Sequence, residues 1–368
     1  MQNQNTKQKT VIPTVRYHPS IQTPGDKPRT SPAQKTRAAA VCCSQTGIPQ
    51  KGVPQTRSPQ VDLGPGVRLP PAGGQRQSAQ KAIRKLVQRD AADLDPEGGP
   101  LRPEQVPLGL EVQLDRGVVE EVEVLTRGQS SNQDWFAWRK NRITASVAHR
   151  IAHCRFSNGK SPTPPTSYLT AITGEGRSIQ TRAMSWGVQM EAEVVRRYQK
   201  MKSAAMARPV SVRDCGLFID ARRPWLAASP DGIVTDNRTG QWLLCLEVKC
   251  PYKHRHRRVE DACRNDPAFC LEIQDEDGRE PKESPVYRLK TSHSYFTQIQ
   301  CQLAVTGLRR ADLAVFTLKE LAVVPVTFDP DLWEEMVSKL EVFYRDAVLP
   351  HLREKTGRDT AAARMPEL

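Results

Sequence analysis

Long apolar runs are missing from this chain of 368 residues: none approaches the roughly eighteen consecutive apolar residues that a membrane-crossing helix needs. No charged and apolar leader of the secretory kind opens it either. Together these absences point away from membranes and toward an intracellular protein, cytoplasmic or nuclear. The nine cysteines contain no Cys-x-x-Cys pair, so buried, reduced thiols are expected. Aromatic residues are scarce at 6% of the chain, and internal repeats are absent.

What is there divides unevenly. Fifteen of the twenty-nine prolines fall in the first 110 residues, among many Gln, Ser, Thr and Gly. Such a mixture buries too little apolar surface to offset chain entropy, so a disordered, Pro-rich, basic tail is expected over residues 1–115. The net charge of +13 follows the same division, with +9 carried by residues 1–110 and +4 by the remainder. A basic tail can attach loosely to a polyanion or merely keep a protein soluble, and the charge by itself names no function.

Within the tail, Lys81–Gln88 reads as a helical turn or two. Val118–Leu125 (VVEEVEVL) alternates and leads into a Ser- and Asn-rich cap. The pattern is helical from Trp135 to Arg142, and Ser146 is placed to cap a second helix through His149 to Ala152. Helices follow from Tyr168 to Thr173 and from Ser178 to Lys202, interrupted near Gly174. After Pro209 the period changes to that of strands: Cys215–Ile219, Leu226–Ala228, Gly232–Thr235 and Trp242–Lys249, the last two joined by a DNRTG turn. Residues 253–293 read as a long charged loop holding one short helix, Val259–Arg264. A helix from Tyr295 to Val305, strands Leu313–Leu318 and Val323–Phe328, and a helix from Asp331 that stops at Pro350 complete one α/β domain. A central mixed sheet flanked by helices is expected over residues 116–355, with a C-terminal tail at 356–368.

The strand Trp242–Lys249 ends with a carboxylate and an ammonium where a buried strand should be apolar. Glu247 and Lys249, two residues apart, share one face, and hairpin pairing with Gly232–Thr235 sets Asp231 beside Glu247. On the preceding helix, Met184, Val188, Val195 and Tyr198 form one apolar stripe with Glu191 inside it. A carboxylate there is a cation ligand, an ion-pair partner of an arginine, or the mark of a face turned to solvent. Converging carboxylates repel unless a divalent cation neutralises them, and hard oxygen donors suit Mg²⁺ or Mn²⁺. An ion pair between Glu247 and Lys249 is the plainer alternative.

Cys250, His254, His256 and Cys263 raise zinc as another candidate. The spacing departs from known fingers, and Lys253, Arg255, Arg257 and Arg258 would repel a cation, which favours a solvated basic loop.

The ordered blocks WG-x-x-x-E, SPDG, LEVKCPY and YFTQIQCQLAVTG, preceded by DWFAWRKNRITAS, resemble the YqaJ, or lambda exonuclease-like, branch of the PD-(D/E)XK nucleases over residues 118–352. The resemblance implies a restriction-endonuclease-like α/β core and a Mg²⁺-dependent deoxyribonuclease. Its most direct form is a 5′-to-3′ exonuclease on linear duplex DNA, serving recombination, repair or mobile-element processing. It implies Asp231, Glu247, Glu191 and the Val248 carbonyl as metal ligands, Lys249 as the catalytic cation and Gln298 as an aligning residue. It also implies Trp135, Arg139 and Ser146 as the site for the substrate's 5′-phosphate. For that second site the chemistry agrees: arginine offers a fork to phosphate oxygens, and Trp135 and Arg139 lie four apart on one helix face. A homotrimer and a single-strand annealing partner come with the resemblance. A structure-specific or nicking endonuclease and a non-catalytic DNA-binding module are the alternatives.

Overall fold

The computed structural model describes residues 101–176, 180–274 and 285–362. The expected turn at Lys81–Gln88 and most of the expected tail lie outside the described residues. The described part of that tail is laid down against the domain: Val106 is buried, Leu101 and Leu114 pack beside it, and the Leu114 N–H donates to the Ala221 carbonyl at 2.8 Å.

Five strands make the central sheet, in the order β10-β9-β6-β5-β2: β2 Val210–Arg213, β5 Gly232–Asp236, β6 Trp242–Lys249, β9 Arg310–Phe316 and β10 Leu321–Thr327. β6 runs parallel to β9, and the other pairings are antiparallel, so the sheet is mixed. β6 sits at its centre, and its apolar run is buried on both faces, as a covered strand requires. Gly232 opens β5 because β2 passes close behind it: a side chain there would meet Val212 and, at 3.3 Å, the Arg213 carbonyl.

The sheet's two faces are covered differently. Leu244, Leu246 and Val248 pack against Val194 and Tyr198 of α5, Arg182–Ala205, whereas Cys245 turns toward Ile299 and Leu303 of α7, Ser294–Thr306. Tyr198 Oη donates to Asp312 Oδ2 at 2.6 Å, fixing α5 to β9. The strand's period of two therefore sends Glu247 and Lys249 to the α7 side.

A smaller sheet, β1 Ile143–Thr144, β4 Leu226–Ala228 and β3 Phe218–Ile219, lies in the order β1-β4-β3, with β1 parallel to β4. Around it pack α1 Arg116–Leu125, α2 Gln133–Arg139, α3 Ala145–Ala152, α4 Thr166–Thr173 and α8 Pro330–Phe343. Among the described residues no helix is long and apolar enough to cross a membrane.

Several expected elements are corrected. VVEEVEVL satisfies both periods but folds as α1, whose Val118 and Val122 are four apart and buried. The supposed loop at 253–293 holds α6, Val259–Asn265, and a hairpin of β7 Leu271–Gln274 with β8 Val286–Leu289. Pro350 does not stop the last helix. A π-turn over Tyr344–Val348 resets the hydrogen bonding, and α9, Leu349–Ala362, takes Pro350 in its first turn, where no N–H is needed.

The seven described cysteines are free thiols, five of them buried. The suggested zinc set does not assemble. His254 is buried with Nε2 2.8 Å from Asp266 Oδ2, and burial pushes the Cys250 and Cys263 thiols up to about 12, away from the thiolate that zinc needs. The basic loop is thus only partly solvated, because His254 anchors it.

Candidate active site

Asp231 immediately precedes β5, and its N–H donates to the Leu246 carbonyl at 3.0 Å, which places it across from Glu247. Its Oδ2 accepts the Val248 N–H at 2.7 Å. Glu247 is 1% exposed and fully engaged: Oε1 accepts from Gln298 Nε2 at 2.6 Å and from Lys249 Nζ, and Oε2 accepts from Gln302 Nε2 at 2.6 Å. The Lys249 ammonium also lies 4.7 Å from the centre of the Tyr295 ring. Both the carboxylate cluster and the plainer Glu247–Lys249 ion pair are therefore present together.

Glu191 differs from its expected setting. Met184 and Val188 are 53% and 63% exposed, so the apolar stripe is real only from Met190 onward, and Glu191 stands at its edge. It belongs to the α5 side of the sheet, yet it senses the cluster. The residue is exposed, and only partial desolvation, followed by the charge of Glu247, pushes its carboxyl above the usual range, with Lys249 opposing. Asp231 is pushed well above that range by burial, then by Glu247, and Glu191 adds to the effect. Burial works against the charge on Lys249, but Glu247 and Asp231 outweigh it and raise its pKa.

These mutual effects describe an excess of negative charge with hard oxygen donors. No three His, Cys, Asp or Glu side chains among the described residues stand close enough together to hold a metal ion. The Asp231 and Glu247 carboxylates on one face are the pair available to one, with Glu191 at the rim.

The second group of expected residues lies on an adjacent path. β1 and β4 run in parallel, Thr144 beside Ala227, so β1 leads into the start of α3 as β4 leads into Ser229, Pro230 and Asp231. Trp135 Nε1 donates to Ser229 Oγ at 2.8 Å, tying α2 to the loop that carries Asp231. The Arg139 guanidinium lies 4.0 Å from the centre of the Trp135 ring, and among the described residues its hydrogen bond is a long 3.5 Å contact to Thr144 Oγ1. Burial pulls the Arg139 pKa down to about 10, which leaves it a cation at neutral pH, with no carboxylate beside it among the described residues. Ser146 is exposed and does not cap: Thr144 occupies the cap position and Ser146 the second helical position, with Oγ 3.2 Å from Thr144 Oγ1. Arg142, by contrast, is buried and donates to the Pro224 and Trp138 carbonyls at 2.9 and 2.8 Å, a structural role.

Three partners escaped sequence reasoning. Gln302 was signalled by Gln298, Gln300 and Gln302 in an otherwise apolar helix, since buried amides need partners. Gln129, whose Nε2 donates to the Pro230 carbonyl at 2.7 Å, and Ser229 carry no such signal.

Residues 134–309 match the family model described as the YqaJ-like viral recombinase domain. The chain is 31% identical over 149 residues to the alkaline nuclease of Autographa californica nuclear polyhedrosis virus. That match takes in 40% of this chain and 31% of the viral protein. Among solved structures it resembles an alkaline exonuclease, LHK-Exo, from Laribacter hongkongensis, with 20% identity and a TM-score of 0.42 over 62% of this chain and 99% of the other. The Shutoff and Exonuclease Protein of Kaposis Sarcoma Associated Herpesvirus matches 62% of this chain and 72% of its own, with 13% identity and a TM-score of 0.41.

Proposed function

We propose that this protein is a metal-dependent DNA nuclease, working from the 5′ end of linear duplex DNA, a reading supported by the match of residues 134–309 to the YqaJ-like viral recombinase family model. The observation that carries the reading is the meeting of Asp231, Glu247 and Lys249 at one end of two central strands, with Arg139, which has no carboxylate partner among the described residues, stacked on a Trp135 that is tied to Ser229.

The donor set fits a hard divalent cation: carboxylate oxygens whose charges raise one another's proton affinity, with no thiolate or imidazole among them. Asp231, Glu247 and the Val248 carbonyl would hold Mg²⁺, with Mn²⁺ as a substitute and Glu191 completing the set. When bound, the ion makes a water more acidic and stabilises the charge that grows on phosphate oxygens. Gln298 and Gln302 hold Glu247 with both oxygens aimed, so the cation does not have to order it. Lys249 orients the attacking water and offsets charge on the phosphate. Arg139, Trp135 and Ser146 receive the terminal 5′-phosphate, the guanidinium supplying the fork and the hydroxyl a further donor.

The test compares linear duplex DNA, with and without 5′-phosphate, and a closed circle in the presence of Mg²⁺. Linear DNA is digested, the circle is spared, and Asp231→Ala lowers the rate by at least ~100-fold. Arg139→Ala lowers the preference for phosphorylated ends while leaving the Mg²⁺ dependence in place. Undiminished digestion by Asp231→Ala sinks the assignment, and nicking of the circle favours an endonuclease instead. The Glu247–Lys249 pair neutralises one carboxylate without a metal ion, which favours a non-catalytic binding module as the second reading. That module would bind DNA ends and digest nothing with any divalent metal.

A further inference from the structure

The turn that follows β6 carries a group of cations that the carboxylate cluster does not use. Since β6 ends at Lys249, the turn at 252–258 leaves the sheet at the strand end that bears Asp231 and Glu247. Its backbone is firmly held. Lys253 Nζ and His254 Nε2 share Asp266 Oδ2 at 2.6 and 2.8 Å, and the Arg255 carbonyl accepts the Leu318 N–H at 2.8 Å.

The Arg255 guanidinium lies 3.9 Å from the centre of the Tyr252 ring, and Tyr252 in turn meets Trp186 of α5 edge-on at 6.4 Å. Trp186 is five residues before Glu191, and its buried indole N–H has no partner among the described residues. His256, Arg257 and Arg258 are exposed and make no ion pair among the described residues. Of the nearby acids, Glu260 pairs with Arg264 at 3.1 Å, and Asp261 Oδ2 accepts only the Arg258 main-chain N–H at 3.4 Å.

We propose that this turn is a second nucleic-acid contact, with Arg257 and Arg258 on backbone phosphates and the Trp186, Tyr252 and Arg255 group against sugar and base. Cations crowded on a pinned backbone repel one another until a polyanion binds and releases its counterions. Aromatic and guanidinium planes suit nucleobases in a way that an acidic protein would not exploit. The reading rests on the proposed function for its placement beside a cleavage site, although the phosphate chemistry does not need cleavage.

The test is the salt dependence of binding by the full chain to a fluorescent 30-base-pair duplex, in chelator so that nothing is cut. Arg257→Ala/Arg258→Ala reduces the slope of log K against log salt by about 2, near 0.9 for each lost phosphate contact. Arg257→Lys/Arg258→Lys restores the slope, and Arg116→Ala, an exposed cation on α1, leaves it unchanged. An unchanged slope in the double alanine variant overturns the proposal, as does polyglutamate competing as well as DNA. A reduced slope in a protein that never cleaves DNA leaves this contact standing while the nuclease reading falls. Cleavage with an unchanged slope reverses the two.

Discussion

Glu247 shows how a charge survives inside a sheet: each of its oxygens is met by an amide from α7 before any cation is considered. Gln302 is the partner with no access to solvent, so replacing it leaves Oε2 without a donor. Gln302→Leu is expected to raise the Mg²⁺ concentration needed for half-maximal cleavage by about 10- to 100-fold, as loss of a residue supporting a metal ligand does. A Mg²⁺ titration of the rate checks it. Asp231 makes the complementary case. Burial and the charge of Glu247 hold a proton on it above the ordinary carboxylate range, so its contribution to stability is complete below that range and is lost as pH rises through its raised value. In chelator, Asp231→Asn is expected to melt about 2 °C or more above the unmodified protein at neutral pH and to lose that advantage in acid. Melting curves at the two pH values decide this. At this scale the sequence was legible where chemistry is stated by type and spacing, as with Asp231, Glu247 and Lys249. It was silent on Ser229 and Gln129, which look like ordinary loop residues until the fold brings α2 to them.

Among elements, β6 was readable to the residue because a turn at Asn237–Gly240 and Pro251 bound it and its burial is nearly continuous. α1 was misread because Val and Glu in VVEEVEVL alternate while also recurring at helical spacing, and only packing on β3 and β4 chooses between them. The β7–β8 hairpin escaped because its strands are four residues each and separated by a charged segment. α5 is the instructive element: only its second half is stapled to the sheet, so Glu191 stands where helix packing ends. The Tyr198–Asp312–Lys202 contact does that stapling. Tyr198→Phe removes a buried hydrogen bond to a carboxylate, a loss of about 1.5 kcal/mol, and is expected to lower Tm by several degrees. If α5 is held only through the apolar contacts around Val194, the melting temperature will not move.

For the whole molecule, the two sheets do different work. The five-stranded sheet gathers the carboxylates, while the small parallel pair β1–β4 runs into Ser146 on one strand and into Ser229 on the other, where α2 ties Trp135, and Arg139 stacked on it, two residues before Asp231. One loop, Ser229–Asp231, belongs to both; under the proposed nuclease reading it would couple recognition of an end to the site of cleavage. That coupling is the central claim, and strand-specific release of label measures it most directly. On a linear duplex with 5′-phosphates, incubated with Mg²⁺, label at the 5′ end is predicted to appear as mononucleotide before label at the 3′ end of the same strand. Release of the 3′ label first, or no mononucleotide with any divalent metal, would contradict it.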